Sequence, residues 1–411
     1  VRLFVARGFD AETMARDPSR DLAFLASIVL LVGTGLAALW SASSGYAVSL
    51  GKPASYFFLR QVKYLVPSLA LFALCALLPL ETIRSKMVPI TLIALCALLL
   101  PLVPGIGDNR NGASRWIDFR VTTFQPSEIW KPVSILYLAH MMDRLGKDPE
   151  SGIGGLLPPF LLVASGCLLI FLQNDLSTAA IAALAAMVLF LVGGASISFF
   201  IGIGAVALPL AALSILTSDF RLRRILAFLY PAYEPHGQGY QILGSIRAIQ
   251  SGGFFGKGLG LGTLKVGSVP EVQTDFIFAA WTEEMGFLGV IVFFALWGLF
   301  AWKCYRNAFR EEEGFRSYLG FGLITLLLME VLVNVAMASG AIPASGIPLP
   351  LFSSGGSSFL ATFGIMGLLV NLSRPESGLG RAGRSDEGSG RAGRAFAGKA
   401  RTEAPRGGDY V

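Results

Sequence analysis

Ten long apolar runs recur along the chain, and they constrain its fold more than any other feature. They occupy roughly 22–43, 61–80, 86–104, 127–143, 156–173, 176–193, 197–217, 278–302, 317–338 and 357–373. An α-helix needs about 20 such residues to cross ~30 Å of hydrocarbon. In lipid the backbone must satisfy its own hydrogen bonds, so these runs predict helices joined by short polar turns. Gln173-Asn174-Asp175-Leu176-Ser177 and Gly193-Gly194 read as two such turns. Composition agrees, with 54% hydrophobic and 15% charged residues over 411 positions. Soluble domains carry about 25% charge. The even spread of the runs excludes a string of two or three soluble domains.

The expected architecture is an all-α polytopic membrane protein of about ten transmembrane helices, with both termini cytoplasmic. One long outer loop, 218–277, separates helices 7 and 8. Sidedness follows from basic residues, which concentrate on the cytoplasmic side. With the N-terminus inside, Arg2, Arg7, Arg16, Arg20, Arg84, Lys86, Arg144, Lys147, Lys303, Arg306, Arg310, Arg316, Arg374 and seven basic residues of the tail lie inside, 20 of the 33 in all. Three regions result: a cytoplasmic N-terminal segment 1–20, a membrane domain 21–374, and a tail 375–411. The tail is rich in Gly, Arg, Ser and Ala and lacks the large apolar residues that bury a core, so disorder is expected. Its positive charge suits anionic lipid. The first apolar run, from about Asp21, is too long for a signal-peptide core and is expected to stay as a membrane helix.

Several chemistries are excluded. Cys75, Cys96, Cys167 and Cys304 lie in or beside apolar runs without C-x-x-C spacing and read as small hydrophobes. His140 and His236 are isolated, so no imidazole metal cluster forms. The glycine run Ser251-Gly252-Gly253-Phe254-Phe255-Gly256-Lys257-Gly258-Leu259-Gly260 is no P-loop, because Gly258 rather than Ser or Thr follows Lys257 and no strand precedes it.

The unusual residues gather at the expected outer face. One cluster runs Gly112-Ala113-Ser114-Arg115-Trp116-Ile117-Asp118, then Phe124-Gln125-Pro126-Ser127-Glu128 and Lys131. Pro126 suits a first helical turn. Glu128 and Lys131, three apart on a helix, are close enough to pair. Trp116 reads equally as an interfacial anchor or, with Arg115, as a grip on a phosphate and its apolar chain. The long loop supplies Arg221-Leu222-Arg223-Arg224, Gln241, Lys257 and Lys265. Its glycines and lysines could cradle a diphosphate or form a plain surface loop. Thr274-Asp275 opens the eighth span, where it reads as a helix cap or as a functional carboxylate beside a basic loop. Glu283 and Glu284 fall within that span, where charge is costly and faces a bundle interior. Asp275 and Glu283 stand about 12 Å apart along a helix, too far for a retaining-glycosidase pair. A sugar leaving on diphosphate needs no general acid. One carboxylate suffices to take the proton of an attacking hydroxyl, with basic groups or a divalent metal neutralising the leaving group.

These motifs together resemble the SEDS glycosyltransferases, the FtsW/RodA/SpoVE group, over about 20–374. The resemblance is carried by Ser41-Ala42-Ser43, the Gly112–Ile117 and Gln125–Lys131 segments, Gly239-Tyr240-Gln241, the glycine run, and Pro270-Glu271. Thr274-Asp275-Phe276-Ile277-Phe278, Glu283-Glu284-x-Gly286, Gly346-Ile347-Pro348-Leu349-Pro350 and Ser353-x-Gly355-Gly356-Ser357-Ser358 complete it. It implies a peptidoglycan glycosyltransferase of the bacterial cytoplasmic membrane that polymerises lipid II into β-1,4 glycan on the outer face and releases undecaprenyl diphosphate. Asp275 is then the catalytic base or a metal-linked carboxylate. Arg115, Trp116, Gln241, Lys257 and Lys265 bind substrate, while Glu128, Lys131, Glu283, Glu284 and Ser357 shape the cavity. A divalent metal, Mg or Mn, has a place at Asp275, and no organic cofactor is implied. Expected partners are lipid II, a class B penicillin-binding protein transpeptidase, other divisome or elongasome proteins and membrane lipid, but no nucleic acid.

Gly-Ala-Ser-Arg-Trp-Ile-Asp and the Arg221–Phe228 stretch look more like division members of the family than elongation members. The chain departs from the family pattern at Asn174 and Ser177, at Gln273 where His is common, at Ser354 where Tyr is common, at Trp130, and at Glu330 where Gln is common. On composition alone a lipid II flippase or a non-enzymatic organiser of cell-wall synthesis competes with the enzyme. The crowding of polar motifs at one face favours the enzyme.

Overall fold

The computed structural model describes residues 18–110, 113–119, 122–146, 152–231, 237–263, 272–310 and 314–374. Most of the N-terminal segment 1–20, the whole tail 375–411, and Lys265 lie outside the described residues. All ten apolar runs fall on helices. These are α1 (Pro18–Ser49), α2 (Tyr56–Leu77), α4 (Met87–Ala97, continued by a 3₁₀ turn Leu100–Leu102), α5 (Pro126–Leu145), α6 (Gly152–Leu172), α7 (Leu176–Val192), α8 (Ile197–Leu216), α11 (Ile277–Arg310), α12 (Gly314–Ala338) and α13 (Gly356–Ser373). Three further helices are α3 (Leu80–Ser85), α9 (Asp219–Leu229) and α10 (Gln238–Gly252). Seven of the described helices are long and apolar enough to cross a membrane, and α4 and α7 are shorter apolar helices.

The bundle has an apolar core and an apolar periphery, with its few ionisable membrane residues placed inside. The apolar stretch of α8 buries none of its residues fully, and most of them are exposed. By contrast α5, which carries Glu128, Lys131, Asp143 and Arg144, is buried along most of its length. Lipid solvates apolar side chains and no others, so the helix with ionisable groups takes the centre. Around it pack α4, α6, α7 and α12. Close approach is local and specific: a Cβ on Gly166 of α6 would stand 2.1 Å from the Trp130 ring of α5. Trp130 itself is fully buried.

Two findings depart from an all-helical reading. The segment ahead of α5 forms a three-stranded antiparallel sheet, β1 (Gly107–Arg110), β2 (Ala113–Asp118) and β3 (Thr123–Phe124), in the order β1-β2-β3. Trp116 lies opposite Asp108, where the register shifts beside Asn109. These strands are too short and polar to announce themselves by alternation. The long loop is not irregular either, since it holds α9 and α10, and α10 packs along α11.

The glycine run has a structural use. Helix α11 breaks at Gly286 (φ 64°, ψ −163°). The segment after α10 fills the break: the amides of Lys257 and Gly258 donate to the carbonyls of Glu283 and Glu284, at 3.0 and 2.9 Å. The amides of Phe287 and Leu288 donate back to Gly253 and Phe254, at 2.9 and 3.1 Å. The backbone groups freed by the break are thereby satisfied.

Candidate active site

Asp275 does not sit in the first turn of α11. It ends a turn over 272–275, and the helix begins at Ile277. Three successive carbonyls of this turn are held by α12 and by the segment that links it to α13. The Ser354 amide donates to Gln273 O at 2.7 Å, Ser353 Oγ donates to Thr274 O, and Asn334 Nδ2 donates to Asp275 O at 3.0 Å. On the same side is Gly346, with φ +70°, where an added Cβ would stand 3.8 Å from Asp275 Oδ2.

Arg224 connects this carboxylate electrostatically to a second pair, Arg115 and Asp175. Arg115 projects from β2, and its Nη1 lies 3.4 Å from Asp175 Oδ2. Arg224, on α9, is within electrostatic reach of Arg115, Asp275 and Asp175. Burial and then the like charge of Arg115 lower its guanidinium from the usual value, while Asp275 and Asp175 act in the opposite sense. Its Nε is buried without a hydrogen-bond partner among the described residues. The amphipathic helix α9 is anchored beside the α6–α7 turn by Arg221, which donates to Asn174 Oδ1 and Ser214 O, each at 3.2 Å, and lies over the Phe171 ring.

Asp175 ties the arrangement together. As N-cap of α7 it accepts from the Thr178 amide at 3.2 Å. Its second oxygen accepts from Gln125 Nε2 at 3.1 Å and faces Arg115. The Gln125 amide in turn donates to Ser357 Oγ at 3.0 Å, joining the start of α5 to α13. Neither Asp175 nor Arg224 stood among the expected site residues. The polar turn at 173–177 and the Arg221–Arg224 cluster were visible as anomalies, but the approach of Arg224 to both Asp175 and Asp275 was not.

The other expected residues form two separate clusters. Lys131 bridges Glu128 at 2.9 Å and Glu330 of α12 at 2.5 Å, all three buried. Glu283 accepts from Lys257 Nζ at 2.7 Å and from the Thr263 amide at 3.0 Å. Glu284 accepts from Ser41 Oγ of α1, and Ser41 accepts from the Gly260 amide at 2.9 Å. Lys257 is therefore engaged with a carboxylate at the α11 break. Gln241 is half-buried in the first turn of α10, and Trp116 is half-buried on β2.

Asp275 lies within electrostatic reach of Arg224, which also reaches the Arg115–Asp175 pair, so two carboxylates and two guanidinium groups share this end of the bundle. Among the described residues no three His, Cys, Asp or Glu side chains converge as a metal site. A divalent ion there would have Asp275 as its protein carboxylate and complete its shell from phosphate oxygens and water, as Mg²⁺ commonly does.

A charged helix buried among apolar ones, in a bundle whose described residues include seven helices long and apolar enough to cross a membrane, defines a polytopic membrane protein. The chain belongs to the FtsW/RodA/SpoVE family of cell cycle proteins, which it matches over residues 22–378, and is a multi-pass protein of the bacterial cytoplasmic membrane. It is 34% identical over 352 residues to the probable peptidoglycan glycosyltransferase FtsW of Borreliella burgdorferi, covering 85% of this chain and 96% of that one. It is 33% identical to stage V sporulation protein E of Bacillus subtilis, covering 87% and 97%. Among solved structures it resembles a chain described under structural coordination of polymerization and crosslinking by a peptidoglycan synthase complex (TM-score 0.68, 27% identity, covering 85% and 96%). It also resembles the rod shape-determining protein RodA of Thermus thermophilus (TM-score 0.63, 26% identity, covering 85% and 95%).

Proposed function

We propose that this chain is a peptidoglycan glycosyltransferase that polymerises lipid II into β-1,4 glycan at the outer face of the cytoplasmic membrane and releases undecaprenyl diphosphate. The observation that carries this reading is the Asp275 carboxylate within electrostatic reach of Arg224, beside the Arg115–Asp175 pair. Asp275 takes the proton from the attacking sugar hydroxyl as the new glycosidic bond forms. The bond to the diphosphate breaks, and the two guanidinium groups neutralise the departing anion, in positions set before the reaction. Asp175 holds Arg115 in place through its buried carboxylate. The names of the relatives support the same activity, and those named FtsW favour a role at the division septum. The peptidoglycan synthase complex among the similar structures favours a class B penicillin-binding protein transpeptidase as partner.

The test is polymerisation of labelled lipid II by the purified protein with its partner transpeptidase, comparing wild type with Asp275→Asn. Glycan from the wild type, lost in a variant that still folds and binds the partner, is the expected result. Equal polymer from both would remove Asp275 as the base. No polymer from either, with lipid II still crossing the bilayer of a liposome, would mean a flippase.

A further inference from the structure

We propose that Asn334 and Ser353 are positioning residues of the transfer reaction, holding the backbone of the Gln273–Asp275 turn so that the Asp275 carboxylate stands at a set place and angle. The inference rests on the reading of Asp275 as the base. Neither side chain touches the carboxylate in any contact described above, so each acts through the main chain.

The geometry is specific. Asn334 is fully buried on α12. Its Nδ2 donates to Asp275 O at 3.0 Å and to Ile347 O at 2.8 Å. Two carbonyl oxygens require a donor, so the nitrogen is placed unambiguously. Its Oδ1 has no hydrogen-bond partner among the described residues, so the amide NH₂ provides all the described hydrogen bonding of this side chain. Ser353 is similarly committed: its Oγ accepts from the Leu349 amide at 2.8 Å, which directs its own proton to Thr274 O. The Ser354 amide completes the set at Gln273 O.

Three consecutive carbonyls thus face the 334–354 segment, which also places Gly346 beside the carboxylate. A three-residue turn ahead of a helix start can otherwise take several orientations. Here its orientation is determined by groups up to about 80 positions away in sequence, an arrangement suited to aligning a base with a reacting hydroxyl.

The experiment is steady-state polymerisation by the full-length protein with its partner, using Ser353→Ala, Ser353→Thr, Asn334→Leu and Asp275→Asn, with the unfolding temperature of each. The expected result is a kcat about a hundredfold lower for Asn334→Leu and at least about tenfold lower for Ser353→Ala. KM for lipid II should be unchanged in both, and Ser353→Thr should recover most of the rate. Should Asn334→Leu fail to fold, Ser353→Ala decides alone. Wild-type kcat in Ser353→Ala, or a loss that follows lowered thermal stability and is not recovered by Ser353→Thr, overturns the positioning role. Full activity in Asp275→Asn would instead overturn the reading of the base on which it rests.

Discussion

Lys131 Nζ on α5 lies 2.5 Å from Glu330 Oε1 on α12, and its other carboxylate partner, Glu128, is 2.9 Å away on its own helix. One cation therefore serves two carboxylates inside the bundle, and it links the two helices at the centre of the fold.

Removal of the cation and removal of one anion should differ sharply. Lys131→Met leaves two buried carboxylates without a counter-charge, and the expected loss is about 3–5 kcal/mol. Glu330→Gln leaves the Lys131–Glu128 pair intact and should cost no more than about 1 kcal/mol. Thermal unfolding in detergent distinguishes the two. Equal destabilisation would mean that the triad is not organised around Lys131.

Asp175 combines a helix cap with an electrostatic role, and two variants separate them. Asp175→Asn retains an oxygen for the Thr178 amide, so stability should stay within about 1 kcal/mol of wild type. It removes the charge facing Arg115, and kcat/KM for lipid II should fall about 10- to 100-fold. Asp175→Ala should lose the same activity and, in addition, about 1 kcal/mol or more of stability. Polymerisation kinetics alongside unfolding temperatures test both halves. An unaltered kcat/KM in Asp175→Asn would show that Arg115 needs no help to reach its position.

Gly286 should tolerate no side chain. Its φ and ψ fall in a region essentially restricted to glycine, at a cost of about 1–3 kcal/mol for other residues. An added Cβ would also stand 2.2 Å from the Gly256 amide nitrogen. Gly286→Ala is expected to abolish folded protein in a fluorescence size-exclusion assay. Gly298→Ala, further along α11 where an added Cβ meets nothing within 4 Å, should leave the yield unchanged. Similar yields from the two would mean that the interlock between the glycine segment and the broken helix is dispensable.

The positions of the membrane helices were legible in the chain itself. Apolar runs long enough to cross a bilayer have one way to satisfy their backbone there, and this local constraint identifies each helix without reference to any other. The pairing of Glu128 with Lys131 was legible for the same reason, since three residues on one helix settle their proximity. Asp275 was singled out as a candidate by its motif and by the cost of a carboxylate beside a membrane. What lay beyond sequence was everything that depends on two distant segments meeting. Glu330 reaches Lys131 across 199 positions, and Asn334 reaches the Asp275 backbone across 59. Arg224 and Asp175 joined the site only because α9 and the α6–α7 turn pack near the same end of the bundle. The glycine run could be read as a phosphate cradle or a loose loop until the break in α11 showed what its amides bind. Local hydrogen-bonding and hydrophobic rules act along a few residues and can be read in order. The neighbours of a side chain across the bundle depend on how whole helices pack, and tertiary structure alone decided those.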